Sequence, residues 1–590
     1  MVAMVLLWLT GCIENPEAFS ADSTSTDTEN PHLPDDAGLG DADTDISPYD
    51  ADADMAEDVI DAGSDTDLAD PDAPQDDPNH CGESGDVCRS GKCEDGQCQP
   101  FDCDPAGIPF GGGSGYPSDP FTLCSAEQLV RIADEASYGF HHFALSSDID
   151  LEELGAGTQF PSIENYFASF DGFGFTIRNV EFTVHSAAGG LFLVIHPSAS
   201  VSNLRLENIS ATNTYNGENN RIGGLTGTNF GALNNIDVQG TIQGFNAVGG
   251  VVGVNAGLLK DVSVDATVNG QGWGTGAIAG FNHGDIIGVE SDGDVTSKAG
   301  AVGGLVGQAF VNSAIIDSTA RATVNCTGTD SNWHGRAGGL VGVNEAAEIS
   351  NSAAHGEVKN TQPFTGGLVG LAQQDGVIDH CHATNPVSST SSRVGGLVGS
   401  LEYDSEIRDS YATGEVAADG AMAGGLVGKL RHQARVSRSF ATGDVEGSSQ
   451  VGGLIGRVRE DDAGVEDCYA TGDITAAVDA MGGLVGRLSG RVDRCYSTGA
   501  VAADPDNPTH GGLIGHIHAS EDTNAQVADS YWDEMTSQTT TSAGGEGLAT
   551  EQFATTSNFE GWSFSDVWLI PDASGIGDAP ERPRLQWEFK

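Results

Sequence analysis

A five-residue string, Gly-Gly-Leu-Val-Gly or a close variant, recurs along this 590-residue chain, and its spacing limits the folds open to it. Copies begin at Gly223, Gly249, Gly303, Gly338, Gly366, Gly395, Gly424, Gly452, Gly482 and Gly511, with looser ones at Gly189 and Gly276. Most successive copies lie 26 to 30 residues apart. Units that short, with few apolar residues, short runs of alternating polarity and frequent Gly, Asn and Asp, cannot each bury a core, so they must stack on one another. The pattern predicts an all-β fold, a right-handed parallel β-helix of about 12 coils, which at ~4.8 Å per coil is roughly 55 to 60 Å long. Each Leu of the string then lies above the Leu before it, with Gly where backbones pass too closely for a Cβ. A propeller is the alternative, but its blades need about 40 residues and four strands.

The string is followed by a second one of the form I-x-[ND]-[SC]-[YF]-A-T-G-x-V, as in Val465-Glu466-Asp467-Cys468-Tyr469-Ala470-Thr471-Gly472-Asp473-Ile474. Together the two closely resemble the GLUG motif of bacterial surface proteins, over roughly residues 121 to 590. The resemblance implies an extracellular solenoid, of the kind attached to adhesins or peptidases, with no defined activity of its own.

The early repeats set the register. In Val201-Ser202-Asn203-Leu204-Arg205-Leu206-Glu207 the fourth and sixth positions are apolar and the fifth and seventh polar. The first apolar residue has the wrong parity for one straight strand, which predicts a left-handed corner near Asn203, Asn235 and Asp261. Carried forward, this register buries Ser410/Ala412, Ser439/Ala441, Cys468/Ala470 and Cys495/Ser497, and makes Cys381, Cys468 and Cys495 interior thiols. A disulfide between Cys468 and Cys495 is compatible with it. The fifth position, facing out, runs Thr319, Ala353, His382, Tyr411, Phe440, Tyr469, Tyr496 and Tyr531, an external aromatic column. The residue after the Gly-rich string becomes Lys429, Arg457, Arg487 and His516, also outside by parity. Tyr411, Phe440, Tyr469 and Tyr496 with Lys429, Arg457 and Arg487 are therefore the candidate ligand-binding residues, suited to stacking on sugar rings and pairing with uronate or sulfate groups. The bland alternative is that the rings stack on each other and the cations balance nearby acids.

The remaining segments give an address. Residues 2 to 9 are apolar but too few to cross a membrane as a helix. They end in Leu9-Thr10-Gly11-Cys12, which resembles the lipobox of bacterial lipoproteins. That resemblance implies lipidation of Cys12 and, with Ile13 following, attachment to the outer membrane by the lipid alone. Residues 13 to 80 hold 22 acidic residues and no Lys or Arg, the composition of a disordered tether. Cys81, Cys88, Cys93, Cys98, Cys103 and Cys124 form an even set in an exported chain and predict three disulfides of undetermined pairing; zinc is the competing reading, disfavoured because no CxxC pair occurs. A capping box at Ser125-x-x-Gln128 opens a helix to about Ala136. Four of the seven Trp fall in the last 60 residues, as a plug for the far end of the rod. The expected organisation is a leader (1–12), tether (13–80), Cys-rich module (81–120), cap and first coil (121–188), repeats (189–530) and Trp-rich cap (531–590).

A net charge of −61 sets nucleic acid aside, since repulsion opposes every encounter. No HExxH, GxSxG or P-loop is present. His141-His142 and His380-Cys381-His382 read as surface histidines, and the Asp runs at 41–45 and 50–54 lack the Gly and Glu of a calcium loop. No catalytic residue, metal or cofactor is called for. The chain is expected to be no enzyme but a cell-surface lipoprotein binding a glycan or protein, that is, an adhesion protein. The alternatives are a carbohydrate-active β-helix enzyme and an accessory subunit presenting the Cys-rich module.

Overall fold

A computed structural model describes residues 76–77, 80–81, 92–94, 97–217, 219–328, 335–460, 462–502, 509–518, 525–571 and 582–589. The chain divides into two units, 1–73 and 74–590, and all described residues belong to the second. Cys12 with its lipobox, the acidic stretch through residue 75 and the Asp runs lie outside the described residues. None of the described helices is long and apolar enough to cross a membrane.

The repeats form a parallel β-solenoid of about 12 turns. One sheet contributes thirteen strands in simple chain order, from Ile163–Tyr166 to Ile514–Ile517, each paired with the strand one coil before and after. A second, larger sheet supplies the other sides of every coil. Parallel pairing between successive coils excludes the propeller, whose blades are separate antiparallel sheets. The long strands β1 (Ser200–Asn213), β2 (Ala232–Gln243) and β3 (Leu258–Gly270) show the register plainly. Leu204 pairs with Ile236 and Ile236 with Val262, and Leu206, Val238 and Val264 stack likewise. All six are buried, while Arg205 between them is exposed.

The corner falls at Asn203, Asn235 and Asp261, with φ of 53°, 54° and 52°. It continues through His380, Asp409, Arg438, Asp467 and Arg494. Asn, Asp and His tolerate this conformation, whereas Arg does not favour it. The later coils hold the two arginines with ion pairs: Arg438 donates to both oxygens of Asp409 (2.8 and 2.7 Å) and Arg494 to both of Asp467 (2.9 Å each).

The interior is a set of columns. The Leu residues of the Gly-rich strings, Leu340, Leu368, Leu397, Leu426, Leu454 and Leu484, are fully buried, and the amide of each donates to the carbonyl of the next at 2.8–2.9 Å. Buried Asn229 donates to Asn255 (2.9 Å) and Asn255 to Asn282 (2.8 Å), so these amides satisfy each other inside the stack. The expected small column is also present: Ser410, Ser439, Cys468, Cys495, Ala412, Ala441, Ala470 and Ser497 are wholly buried. The hydroxyls of Ser410 and Ser439 accept from the amides of Cys381 (3.0 Å) and Ser410 (3.2 Å) in the preceding coils.

Gly425 shows why the string is glycine-rich. A Cβ there would collide with the carbonyl of Gly453 and stand 2.9 Å from Ala441 Cβ. Neither neighbour can yield, because one is backbone and the other has no rotamer to change. Gly425→Ala is expected to cost ~3 kcal/mol. Gly464→Ala, where nothing lies within 4 Å of the added carbon, is the control that should leave thermal unfolding unchanged.

At the N-terminal end, α1 (Ala126–Asp134) starts at Ser125, whose hydroxyl accepts from the Gln128 amide at 3.4 Å. Gln128 completes the cap one residue early: its Oε1 accepts from the Cys124 amide at 2.9 Å. The helix stops at Asp134, two residues short of the expected end. Strand Phe121–Leu123 pairs with Phe143–Leu145, which pairs with Ser169–Asp171, so the cap is continuous with the solenoid sheet. The expected boundary at 120 is corrected. Cys103 and Cys124 form a disulfide across it, and Phe110 packs on Phe121, Tyr138 and Phe143 at 4.7 to 5.0 Å, so this stretch belongs to the cap. Cys93 is also disulfide-bonded; the pairings expected of Cys81, Cys88 and Cys98 fall outside the described side chains. Asp76–Asp77 pairs with His80–Cys81, so strand structure begins before the expected end of the tether.

Candidate functional site

The aromatic column exists, and its rings point away from the main core. Tyr411, Phe440, Tyr469 and Tyr496 stack at 5.0, 4.8 and 5.1 Å with interplanar angles of 3°, 5° and 9°. It is not a free surface, however, and the expectation that it binds ligand is corrected. Phe440, Tyr469 and Tyr496 are 6%, 0% and 1% exposed. The C-terminal segment runs back along the flank and seals them. Trp562 and Trp568 pack on Tyr496, Trp568 on Tyr469, and Trp587 on Phe440 and Tyr411. Trp587 Nε1 donates to the carbonyl of Arg438 at 2.9 Å, and the hydroxyls of Tyr469 and Tyr496 donate to Glu588 (3.0 Å) and the Pro583 carbonyl (2.6 Å). Burial accordingly pushes both phenols above their usual range. The physical reason is area: a stripe of stacked rings is a large contiguous apolar patch, and the chain covers it with its own tryptophans. The Trp-rich segment is thus a lateral strap. Of the four expected plug residues only Trp532 joins the main core at the end of the stack.

The cations occupy a different sheet. β4 (Val398–Leu401), β5 (Val427–Leu430), β6 (Ile455–Val458) and β7 (Val485–Leu488) are neighbours in the thirteen-strand sheet. Ser400, Lys429, Arg457, Arg487 and His516 follow one another in register. The earlier members of this column, Val343 and Leu371, form an apolar cluster separate from the main core, so Lys429, in register with them, stands outside that core. Gly428 makes the surroundings close: its missing Cβ would meet the Val394 amide and the Arg393 carbonyl carbon at 2.6 and 2.7 Å. That approach brings Arg393 beside the column. Arg431 and Arg459, two residues beyond Lys429 and Arg457, complete the group.

Lys429 is 3% exposed, and Arg457 and Arg487 are partly buried, so outward parity did not mean solvent exposure. Two carboxylates are present and both are engaged. Glu402 accepts from Ser400 Oγ (2.8 Å) and Arg431 (2.6 Å), and Glu460 pairs with Arg459 (3.0 Å) and accepts from the His432 amide (3.0 Å). Burial, then Arg393 and Arg431, pull Lys429 down to about 7. Burial and Arg487 likewise lower Arg457. The rings beside these cations are ones the sequence reading passed over: Arg393 lies 4.5 Å over Phe364 and Arg431 5.5 Å over Tyr403. A signal was there in Lys429-x-Arg431 and Arg457-x-Arg459, a basic pair repeated one coil apart.

Cys326, Cys381, Cys468 and Cys495 are free and buried. Cys468 and Cys495 do not bond to each other; the Cys468 amide donates to Cys495 Sγ at 3.4 Å, as the amides above and below donate to Ser. Burial pushes Cys326 up to about 11 and Cys381 to about 12, which suppresses the reactive thiolate. His380 Nδ1 lies 3.0 Å from Asp379, and Asp379, His380 and Asp409 converge closely enough for a metal. Arg408 (2.9 Å to Asp379) and the bidentate Arg438 already neutralise those carboxylates. An incoming cation would have to displace two guanidiniums, so the trio is part of the corner's ion-pair ladder.

Halomucin of Haloquadratum walsbyi is 31% identical to this chain over 144 residues, which are 23% of this chain and 2% of halomucin. The chain thus spans a small part of that relative's length. A solved Bacteroides ovatus protein named for immunoglobulin A1 protease shares 16% identity, with a TM-score of 0.30 over 80% of this chain and 94% of its own. A second structure, "IgA1 Protease", shares 14% identity at a TM-score of 0.18, covering 70% of this chain and 21% of that one. The expectation that the chain is no enzyme is corrected by these two findings, since both similar structures carry a protease's name; at such scores they assign no reaction to it. Residues 298–325, 334–359, 390–417 and 447–475 match the GLUG motif, in coils whose register continues on both sides. With motif and coil coinciding, the chain is a GLUG-repeat protein.

Proposed function

We propose that the protein is an exported solenoid, anchored to the outer membrane through a lipid on Cys12, that binds a surface glycan or protein along the thirteen-strand flank. The observation that carries this reading is the contrast between the two flanks. The aromatic flank is sealed by the strap, whereas Arg393, Lys429, Arg431, Arg457, Arg459 and Arg487 gather on the other in a chain that is otherwise strongly acidic. The net negative charge of the chain repels polyanions at long range, while the local excess of cations attracts an anion at contact distances, within about 8 Å at physiological salt.

The test uses the full chain expressed in a bacterium that processes lipoproteins. Labelled palmitate should enter the protein and fail to enter Cys12→Ser. Purified protein should bind intact cells or a glycan array, with binding reduced roughly tenfold by Arg457→Gln. Binding that is indifferent to the flank, or to which only strap substitutions matter, would sink the reading.

A further inference from the structure

Lys429 and Arg457 are in register on adjacent strands, about 4.8 Å apart along the stack. Lys429 is almost wholly buried. Among the described residues neither side chain has a hydrogen bond or an ion pair, and the Nε atoms of Arg393, Arg431, Arg457 and Arg487 are buried without an acceptor. Arg487 spends one Nη on His518 Nδ1 at 2.8 Å. Glu402 and Glu460 have both oxygens occupied by other donors. A buried ammonium among like charges costs several kcal/mol unless an anion meets it. These donors converge from two coil positions: the column itself, and the turn carrying Arg393, whose backbone Gly428 admits.

We propose that this basin is a binding site for the oxyanion of an acidic sugar, a carboxylate or sulfate group held by Lys429 and Arg457 and flanked by Arg393 and Arg487. The inference rests on the reading of this flank as the ligand-binding one and names its ligand class. Dense polyanions such as nucleic acids are disfavoured by the −61 net charge. An isolated oxyanion on a sugar feels mainly the local cations. Phe364 and the 42% exposed Tyr403 border the basin and carry Arg393 and Arg431 on their faces, with Tyr403 also stacked on His432. His516 and His518 close the far end of the column.

The experiment is calorimetric titration of the full chain with trigalacturonate, with a sulfated galactose trisaccharide, with its unsulfated counterpart and with inorganic sulfate. One or both charged trisaccharides should bind, and which one does identifies the group. The unsulfated sugar should not bind. Lys429→Met and Arg457→Gln should each lower the affinity roughly tenfold or more. In wild-type protein, ¹³C-lysine NMR should show the Lys429 titration midpoint rising when the trisaccharide saturates it, a readout that needs no variant to fold. Failure of both charged sugars to bind, binding of sulfate alone, equal binding by the variants, or an unmoved Lys429 midpoint each overturns the proposal. Loss of cell binding with trisaccharide binding intact would overturn the surface role and leave this site standing.

Discussion

Trp568→Ala should unseat the C-terminal strap and lower stability by about 3–5 kcal/mol, with the tyrosine column uncovered as a result. Trp568 is wholly buried, lies 4.3 Å from Trp562 and packs on both Tyr469 and Tyr496. Its Nε1 donates to Asp467 Oδ1 at 3.1 Å, so the substitution also leaves a buried carboxylate short of one donor. The rest of the strap is held at separate points, by Trp562 Nε1 donating to the Asp529 carbonyl (2.7 Å) and by Arg582 pairing with buried Asp533 (2.8 Å). Loss therefore begins in the middle, over Tyr469 and Tyr496. Because coils of a solenoid can unfold separately, two readouts are needed: thermal unfolding for the cost, and dye binding with near-ultraviolet circular dichroism for the exposed rings. Trp568→Phe keeps the apolar contact and loses only the donor, so it should retain most of the stability. If Trp568→Ala exposes no rings, the strap is not their cover.

The same flank shows what the sequence could and could not reveal. Parity identified Tyr469 as outward because it holds the fifth position of the register that the early repeats set, where Leu204 and Leu206 mark the buried fourth and sixth. Corners were legible at Asn203, Asn235 and Asp261 because Asn and Asp at a parity break have a local cause. Both inferences need only the local pattern of one repeat and its recurrence along the chain. The covering of Tyr469 by Trp568, 99 positions later in the sequence, depends on the path of the C-terminal segment, which no local pattern encodes. Tryptophans clustered at a chain end read equally well as a plug or a strap. The cationic basin was half legible. Lys429, Arg457 and Arg487 follow from the repeat, but their burial depends on Gly428 admitting the turn that carries Arg393 from the coil before. The pairing of Cys103 with Cys124 likewise depends on Phe110 folding onto Phe121, a contact set by the whole cap.

Lys429→Met should make the ligand-free protein more stable, which distinguishes a binding residue from a structural one. The unfolded chain holds this lysine near its ordinary pKa of ~10.4, whereas burial, Arg393 and Arg431 lower it to about 7 in the fold. Between those values the unfolded state binds more protons, so stability rises with pH across that window. The full penalty, on the order of 5 kcal/mol, applies below it and has vanished above it. Methionine fills much of the same volume without the charge. At about pH 6 the variant should therefore exceed wild type by several kcal/mol, read as slower exchange of the buried Val427 and Leu430 amides; above about pH 10 the two should converge. An acidic trisaccharide reverses the order, because it stabilises only the protein that binds it, and does so in proportion to the logarithm of its excess over Kd. A variant that is less stable than wild type at low pH without ligand would show that Lys429 is already satisfied within the fold, and the case for an absent counter-ion would end there.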